Sequence, residues 1–266
     1  MLGRDFQERR TIMGEWAEKS KRLKEKLSLP SEPIGYRRLA EAKELEQIPG
    51  LTRWTRPCVF CQVPFMARVG GLTVGLTAED PVGDRCKRIH GLLAADENSK
   101  LQEAKMLSRT WMPSVEEGLK QQEDYPRIPP GGAIVVGPLS KDNFDPEVVL
   151  IYGNPAQIMM LLCGLQKIRY ERFPFHFIGE GACVDSLGQC YNTGKPAVAL
   201  PCYGERSMGQ VKDDEIVIAL PPKDMDRAIE GLEILGKIGF KYPISSIGAY
   251  LDPNPLLAQF YPRKKE

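Results

Sequence analysis

The chain has 266 residues, with 36 Lys or Arg against 35 Asp or Glu, a formal charge of +1, and 42% apolar residues. So even a balance argues against nucleic acid or an anionic membrane surface as the main partner, because both demand a surplus of positive charge. The longest apolar run, residues 158–165, is far short of the ~20 residues of a membrane-spanning helix, and the first ten residues carry five charges with no apolar stretch behind them. A cytoplasmic protein is therefore expected.

In chain order, residues 6–29 place Ile12, Trp16, Leu23 and Leu27 on one stripe among Lys and Glu. This predicts an N-terminal amphipathic helix docked on the domain or a partner. Ser28-Leu-Pro-Ser-Glu-Pro33 breaks the chain, and residues 34–39 read as a short strand. A Gly- and Cys-rich segment follows from 57 to 91, with alternation over 72–77, and helical composition resumes from 92 to about 120. The turn cluster Tyr125-Pro-Arg-Ile-Pro-Pro-Gly-Gly132 marks a boundary. Beyond it strands at 133–136 and 148–152, a helix from 155 to about 169, apolar stretches at 175–178, 197–200 and 215–220, and a helix at 223–238 alternate. Met225, Ile229, Leu232 and Leu235 share one face of that last helix. The organisation is thus an N-terminal helix (1–30), a Cys-rich half (31–128) and an α/β half (129–266), expected to act as one unit. The fold class is α/β, or α+β, with a mixed sheet and flanking helices, Cys/Gly-rich loops forming a metal site.

Asn154-Pro-Ala-Gln157 reads as a helix start: an N-cap, a preset φ and a capping-box partner. Its free backbone N–H groups could also receive an anion, which makes Asn154 and Gln157 candidates for substrate binding.

Seven cysteines in a reducing compartment call for a purpose other than disulfides. Cys163, inside an apolar run, is expected in the core, and Cys190 reads as a small buried residue. Cys58-Val-Phe-Cys61 has the spacing at which two thiolates meet one metal or cluster edge. A thioredoxin-like use would need a helix directly after the pair, and Pro64 and Gly70-Gly71 speak against one. Cys86 supplies a third thiol. For the fourth ligand there are two choices: His90, four residues later, which would complete a Cys3His zinc site, or Cys183 or Cys202 from the second half, which suits an iron–sulfur cluster of the 4Fe-4S type.

At these motifs the chain resembles a known family. Arg56-Pro-Cys-Val-Phe-Cys61 with Ala67-Arg-Val-Gly-Gly71, Asp84-Arg-Cys86, Gly153-Asn-Pro-Ala-Gln157, Gly181-Ala-Cys183 and Leu200-Pro-Cys-Tyr-Gly-Glu-Arg206 resemble, from about residue 32 to 235, the family called domain of unknown function 169. The resemblance implies recurrent cysteines in prokaryotic proteins and a metal centre, and it names no reaction.

Other catalytic signatures are lacking. The two histidines, His90 and His176, come without a Gly-x-Ser-x-Gly elbow, and no phosphate-binding Gly-rich loop occurs. His176, within Phe173-Pro-Phe-His-Phe177, reads as a half-buried strand residue. The expectation is a cytoplasmic iron–sulfur protein of oxygen-poor metabolism, a redox or Lewis-acid enzyme or enzyme subunit. Arg68, Arg85 and Arg206, each beside a cysteine loop, would bind a small anionic substrate, and a redox partner protein is the other candidate partner. The alternatives are a zinc-stabilised binding or accessory protein, and a metal-free protein whose cysteines pack or form a transient redox pair. The oligomeric state is left open.

Overall fold

A computed structural model of the chain describes residues 14–245. Its frame is a mixed sheet of strands β1 (Ile34–Leu39), β2 (Leu51–Arg53), β3 (Thr73–Thr77), β4 (Ala133–Pro138), β5 (Val148–Gly153), β6 (Ala197–Ala199) and β7 (Ile216–Leu220). The seven strands are ordered β2-β3-β4-β1-β5-β7-β6. β2 and β3 run parallel, and the other neighbours pair antiparallel. β1, from the Cys-rich half, lies between β4 and β5, so one sheet runs through both halves. Such central strands are buried on both faces, which is why Val148-Val-Leu-Ile-Tyr152 is apolar throughout rather than alternating.

Alternate residues of these strands pack on opposite faces of the sheet. Val149, Ile151, Val198, Ile218 and Leu220 meet α1 (Glu15–Leu27), α6 (Pro155–Ile168) and α9 (Asp224–Lys237) on one side. Ile34, Tyr36, Val74, Leu76, Val136 and Tyr152 face the Cys-rich loops on the other. α1 buries Trp16, Leu23 and Leu27 as its stripe requires, while Ile12 lies outside the described residues. The capping box at Asn154 is formed: its side chain accepts from the Gln157 N–H at 2.9 Å and the Gln157 Oε1 accepts from the Asn154 N–H at 2.8 Å. α6 and α9 cross at Gly164 and Gly231, where a Cβ on Gly231 would stand 1.8 Å from the Gly164 carbonyl oxygen. Among the described residues no helix is long and apolar enough to cross a membrane.

Several expectations need correction. The helical stretch after residue 92 divides into α4 (Glu97–Leu107) and α5 (Val115–Asp124), interrupted before Pro113 and restarted by Ser114, whose side chain accepts from the Glu117 N–H. Residues 175–178 form no strand. Phe175 makes one isolated bridge to Val198, Pro174 has no N–H with which to extend the ladder, and His176 is exposed rather than half-buried in a strand. Cys163 is half-buried beside the inward row of α6, whereas Cys190, in α7 (Gln189–Thr193), is buried as expected. A helix, α2 (Gln62–Arg68), does follow Cys61 directly, because Pro64 sits in its first turn, where its missing N–H has no partner to lose. The turn at 129–132 is pinned, with the Gly131 N–H donating to the Gly91 oxygen at 3.0 Å, and it leads straight into β4.

Candidate thiol centre

Backbone contacts bring the Cys-rich loops together over the sheet. The Cys58 N–H donates to the Pro81 oxygen and its carbonyl accepts from the Gly83 N–H, both at 3.0 Å. This lays the Cys58–Cys61 turn beside the start of α3 (Asp84–Ile89), where the Phe60 N–H donates to the Cys86 Sγ at 3.3 Å. Cys61 caps α2, and Cys202 caps the short helix α8 (Tyr203–Ser207). Two glycines let these turns close on each other. A Cβ at Gly209 would strike the Cys61 oxygen at 2.5 Å, and one at Gly204 would touch the sulfurs of Cys61 and Cys202 at 3.5 and 3.7 Å.

Cys61 and Cys202 lie side by side at Gly204. Hydrogen bonding from Cys61, then from the backbone N–H groups of Ala182, Glu205 and Gly204, lowers the Cys202 thiol to about 5 against the opposing effect of burial. The same bond and burial hold Cys61 protonated. Burial raises Cys183, and the nearby charges of Glu205, Cys202 and Cys86 add to it. Cys58, pushed up to about 11 by burial, also feels Cys86. Cys58 belongs to the apolar cluster on this sheet face, Cys86 and Cys183 pack against that cluster, and Cys61 and Cys202 meet at Gly204. All are free, and among the described residues no three His, Cys, Asp or Glu side chains converge on a point that could hold a single metal ion.

The other candidates separate around this centre. Arg85 borders Cys183, with its guanidinium hydrogen-bonded to the Tyr125 hydroxyl and the Glu180 carbonyl. Arg68 is turned away into the fold, where it pairs with Glu215 at 3.1 Å, donates to the Gln210 oxygen at 3.1 Å and lies over the Tyr152 ring. Arg206 donates to the carbonyl oxygens of Lys212 and Glu215. Asn154 and Gln157 belong to the side of the sheet that α1, α6 and α9 cover. There the Gln157 Nε2 donates to the Leu27 and Ser28 oxygens, both at 3.0 Å. His90 stacks on Phe60 with ring centroids 3.6 Å apart and tilts against Tyr36. Burial lowers it to about 3, so it is neutral, and neither ring nitrogen has a hydrogen-bond partner.

Two carboxylates at the centre were not singled out from sequence. Glu180 accepts from the Tyr203 N–H at 3.2 Å. Glu205 is buried, takes one hydrogen bond from the Tyr152 hydroxyl at 3.3 Å, and is raised to about 8 by burial and then by the Cys202 charge. No capping bond joins Glu205 to Cys202, so no local spacing marked it in the sequence.

The fold and these residues define a mixed α/β protein with partly buried thiols on one sheet face. Residues 22–231 match the model of domain of unknown function 169, described as uncharacterised ArCR, and the chain belongs to that family. An uncharacterized protein of Methanocaldococcus jannaschii, MJ0308, is 26% identical over 203 residues, which is 76% of this chain and 81% of that one. No solved structure matches the chain.

Proposed function

We propose that the chain is an iron–sulfur protein that works on a small anionic substrate or with a redox partner, its cluster held by thiolates from both halves. What carries the reading is that Cys58, Cys86 and Cys183 share one apolar cluster on a sheet face while Cys61, three residues after Cys58, meets Cys202 of the second half at Gly204. Soft sulfur donors in a buried, water-poor setting are the set a cluster takes. A cluster is bound at the separate irons of an extended core, so its ligands need only neighbour one another, whereas a lone zinc requires four donors aimed at one point. Four of the five thiols are held protonated, so loading would release protons and tie the halves together through the binding free energy. Such a centre supplies electron transfer or, with an iron open, a Lewis acid. Arg85, beside Cys86 in the chain, is the cationic fork we assign to an anion there. Cytoplasmic, oxygen-poor metabolism is the setting such a centre fits.

The test is purification of the full chain without oxygen, followed by iron, sulfide and zinc analysis and a visible spectrum. Iron and acid-labile sulfide in near-equal amounts, with a brown colour bleached by air and lost in Cys61→Ala and Cys202→Ala, is the expected result. A colourless protein with one zinc per chain, released on replacing His90, would instead establish the Cys3His site. A chain that takes up neither iron with sulfide nor zinc would overturn metal binding altogether.

A further inference from the structure

We infer that Cys61 and Cys202 are a reversible thiol–disulfide pair, closed by exchange with a small-molecule disulfide; the inference concerns the metal-free chain and does not rest on the cluster reading above. The two sulfurs flank one point of the fold: a Cβ at Gly204 would stand 3.5 Å from the Cys61 Sγ and 3.7 Å from the Cys202 Sγ. Both thiols are free. Backbone holds them there from each side. Cys61 and Cys202 each cap a helix, α2 and α8, and Gly209, just past α8, lies so close that a Cβ on it would meet the Cys61 carbonyl oxygen at 2.5 Å. The spacing of the Cys58–Cys61 motif suggests a bond within it, but the fold separates the surroundings of its two sulfurs. Cys58 is tied to Pro81 and Gly83 through its own N–H and carbonyl and belongs to the apolar cluster on the sheet, which Cys61 does not join. Cys61 is instead presented to the second half of the chain.

A disulfide needs its sulfurs about 2.0 Å apart, so the pair has to draw together. α8 is only five residues long, and Tyr203 in its first turn is 65% exposed, so the Cys202 end can shift without displacing core. Exchange begins at Cys61, the less buried of the two. Its thiol gives a proton to water, and the thiolate attacks one sulfur of R–S–S–R, breaking that bond and expelling RS⁻. The Cys202 thiol loses its proton in turn, and its thiolate attacks the Cys61 sulfur of the mixed disulfide and expels the second RS⁻. Together the two cysteines lose two electrons and two protons, and the small disulfide gains both and becomes two R–SH. The new bond ties the first half of the chain to the second. It also takes two sulfurs out of metal service, because a metal is bound by the thiolate.

The test incubates the full chain, stripped of metal and reductant, with oxidised glutathione in the absence of oxygen, alkylates the remaining thiols and maps linked peptides by mass spectrometry. Wild type should lose two of its seven free thiols, run faster on a non-reducing gel until dithiothreitol is added, and yield one dominant linked pair, Cys61 with Cys202. Cys58→Ala should close in the same way. Cys202→Ala should form no cross-link and keep one glutathione on Cys61. The same incubation of wild type in urea should scatter the pairing, since the preference comes from the fold. A dominant link between Cys58 and Cys61, a wild type that keeps all seven thiols, or the same pairing with and without urea would overturn the inference. None of these results bears on the cluster reading, which stands or falls on its own iron and sulfide analysis.

Discussion

Replacing Arg68 with Met should destabilise the protein through an uncompensated buried charge. Arg68 and Glu215 side chains are each only 4% exposed and meet at 3.1 Å. Glu215 also accepts from the Lys212 N–H at 2.9 Å, and Arg68 donates to the Gln210 oxygen at 3.1 Å. Removing one partner of such a pair costs about 3–5 kcal/mol, because the other is left charged in a low dielectric. For a chain of this size each kcal/mol lowers the melting temperature by about 2–4 °C, so Arg68→Met should melt roughly 6–20 °C lower. The double variant Arg68→Met, Glu215→Leu should recover most of that loss, since replacing both charges removes the desolvation cost as well. Thermal and urea unfolding of the metal-free chain, followed by circular dichroism, keeps metal linkage out of the comparison. A loss under about 0.5 kcal/mol for Arg68→Met, the range of a surface substitution, would refute the structural role and return Arg68 to the list of anion-binding candidates.

His90 should make the metal-free protein acid-sensitive. Its folded value of about 3 lies below the ~6.5 of an unfolded histidine, so the unfolded state binds the extra proton first. Stability is then complete above ~6.5 and falls as pH drops toward 3, with a slope approaching about 1.4 kcal/mol per unit. His90→Phe, which keeps a ring on Phe60, should flatten that slope in urea midpoints measured from pH 7 to 4; equal slopes would refute the assignment. At the α6–α9 crossing Gly231→Ala should cost at least about 1–3 kcal/mol, because its Cβ meets backbone that cannot move aside. Gly236→Ala, with nothing within 4 Å, should be neutral or gain up to about 1 kcal/mol. Urea unfolding of the two variants checks this, and equal effects would mean the helices do not cross as described.

What the sequence determined by itself is what a few neighbouring residues decide. The apolar stripe of α9, the capping box at Asn154 and the apolar runs that became β4, β5 and β7 are local signals, read at periods of 3.6 and 2 and at cap spacing. The cysteine motifs were legible for the same reason, and so was the family. Short-range reading failed where a local pattern lacked a distant partner: Phe173-Pro-Phe-His-Phe177 has strand-like alternation, but Pro174 offers the neighbouring edge no donor. Only the tertiary structure decided which thiols meet, because Cys61 reaches Cys202 through the closure of two turns whose approach depends on Gly204 and Gly209. It also turned Arg68 from a loop cation into half of a buried pair with a residue 147 positions away, and it left Glu205 buried with one oxygen unpartnered beside the sulfurs. Such meetings depend on a strand order that brings both halves into one sheet, a long-range arrangement that no window of sequence contains.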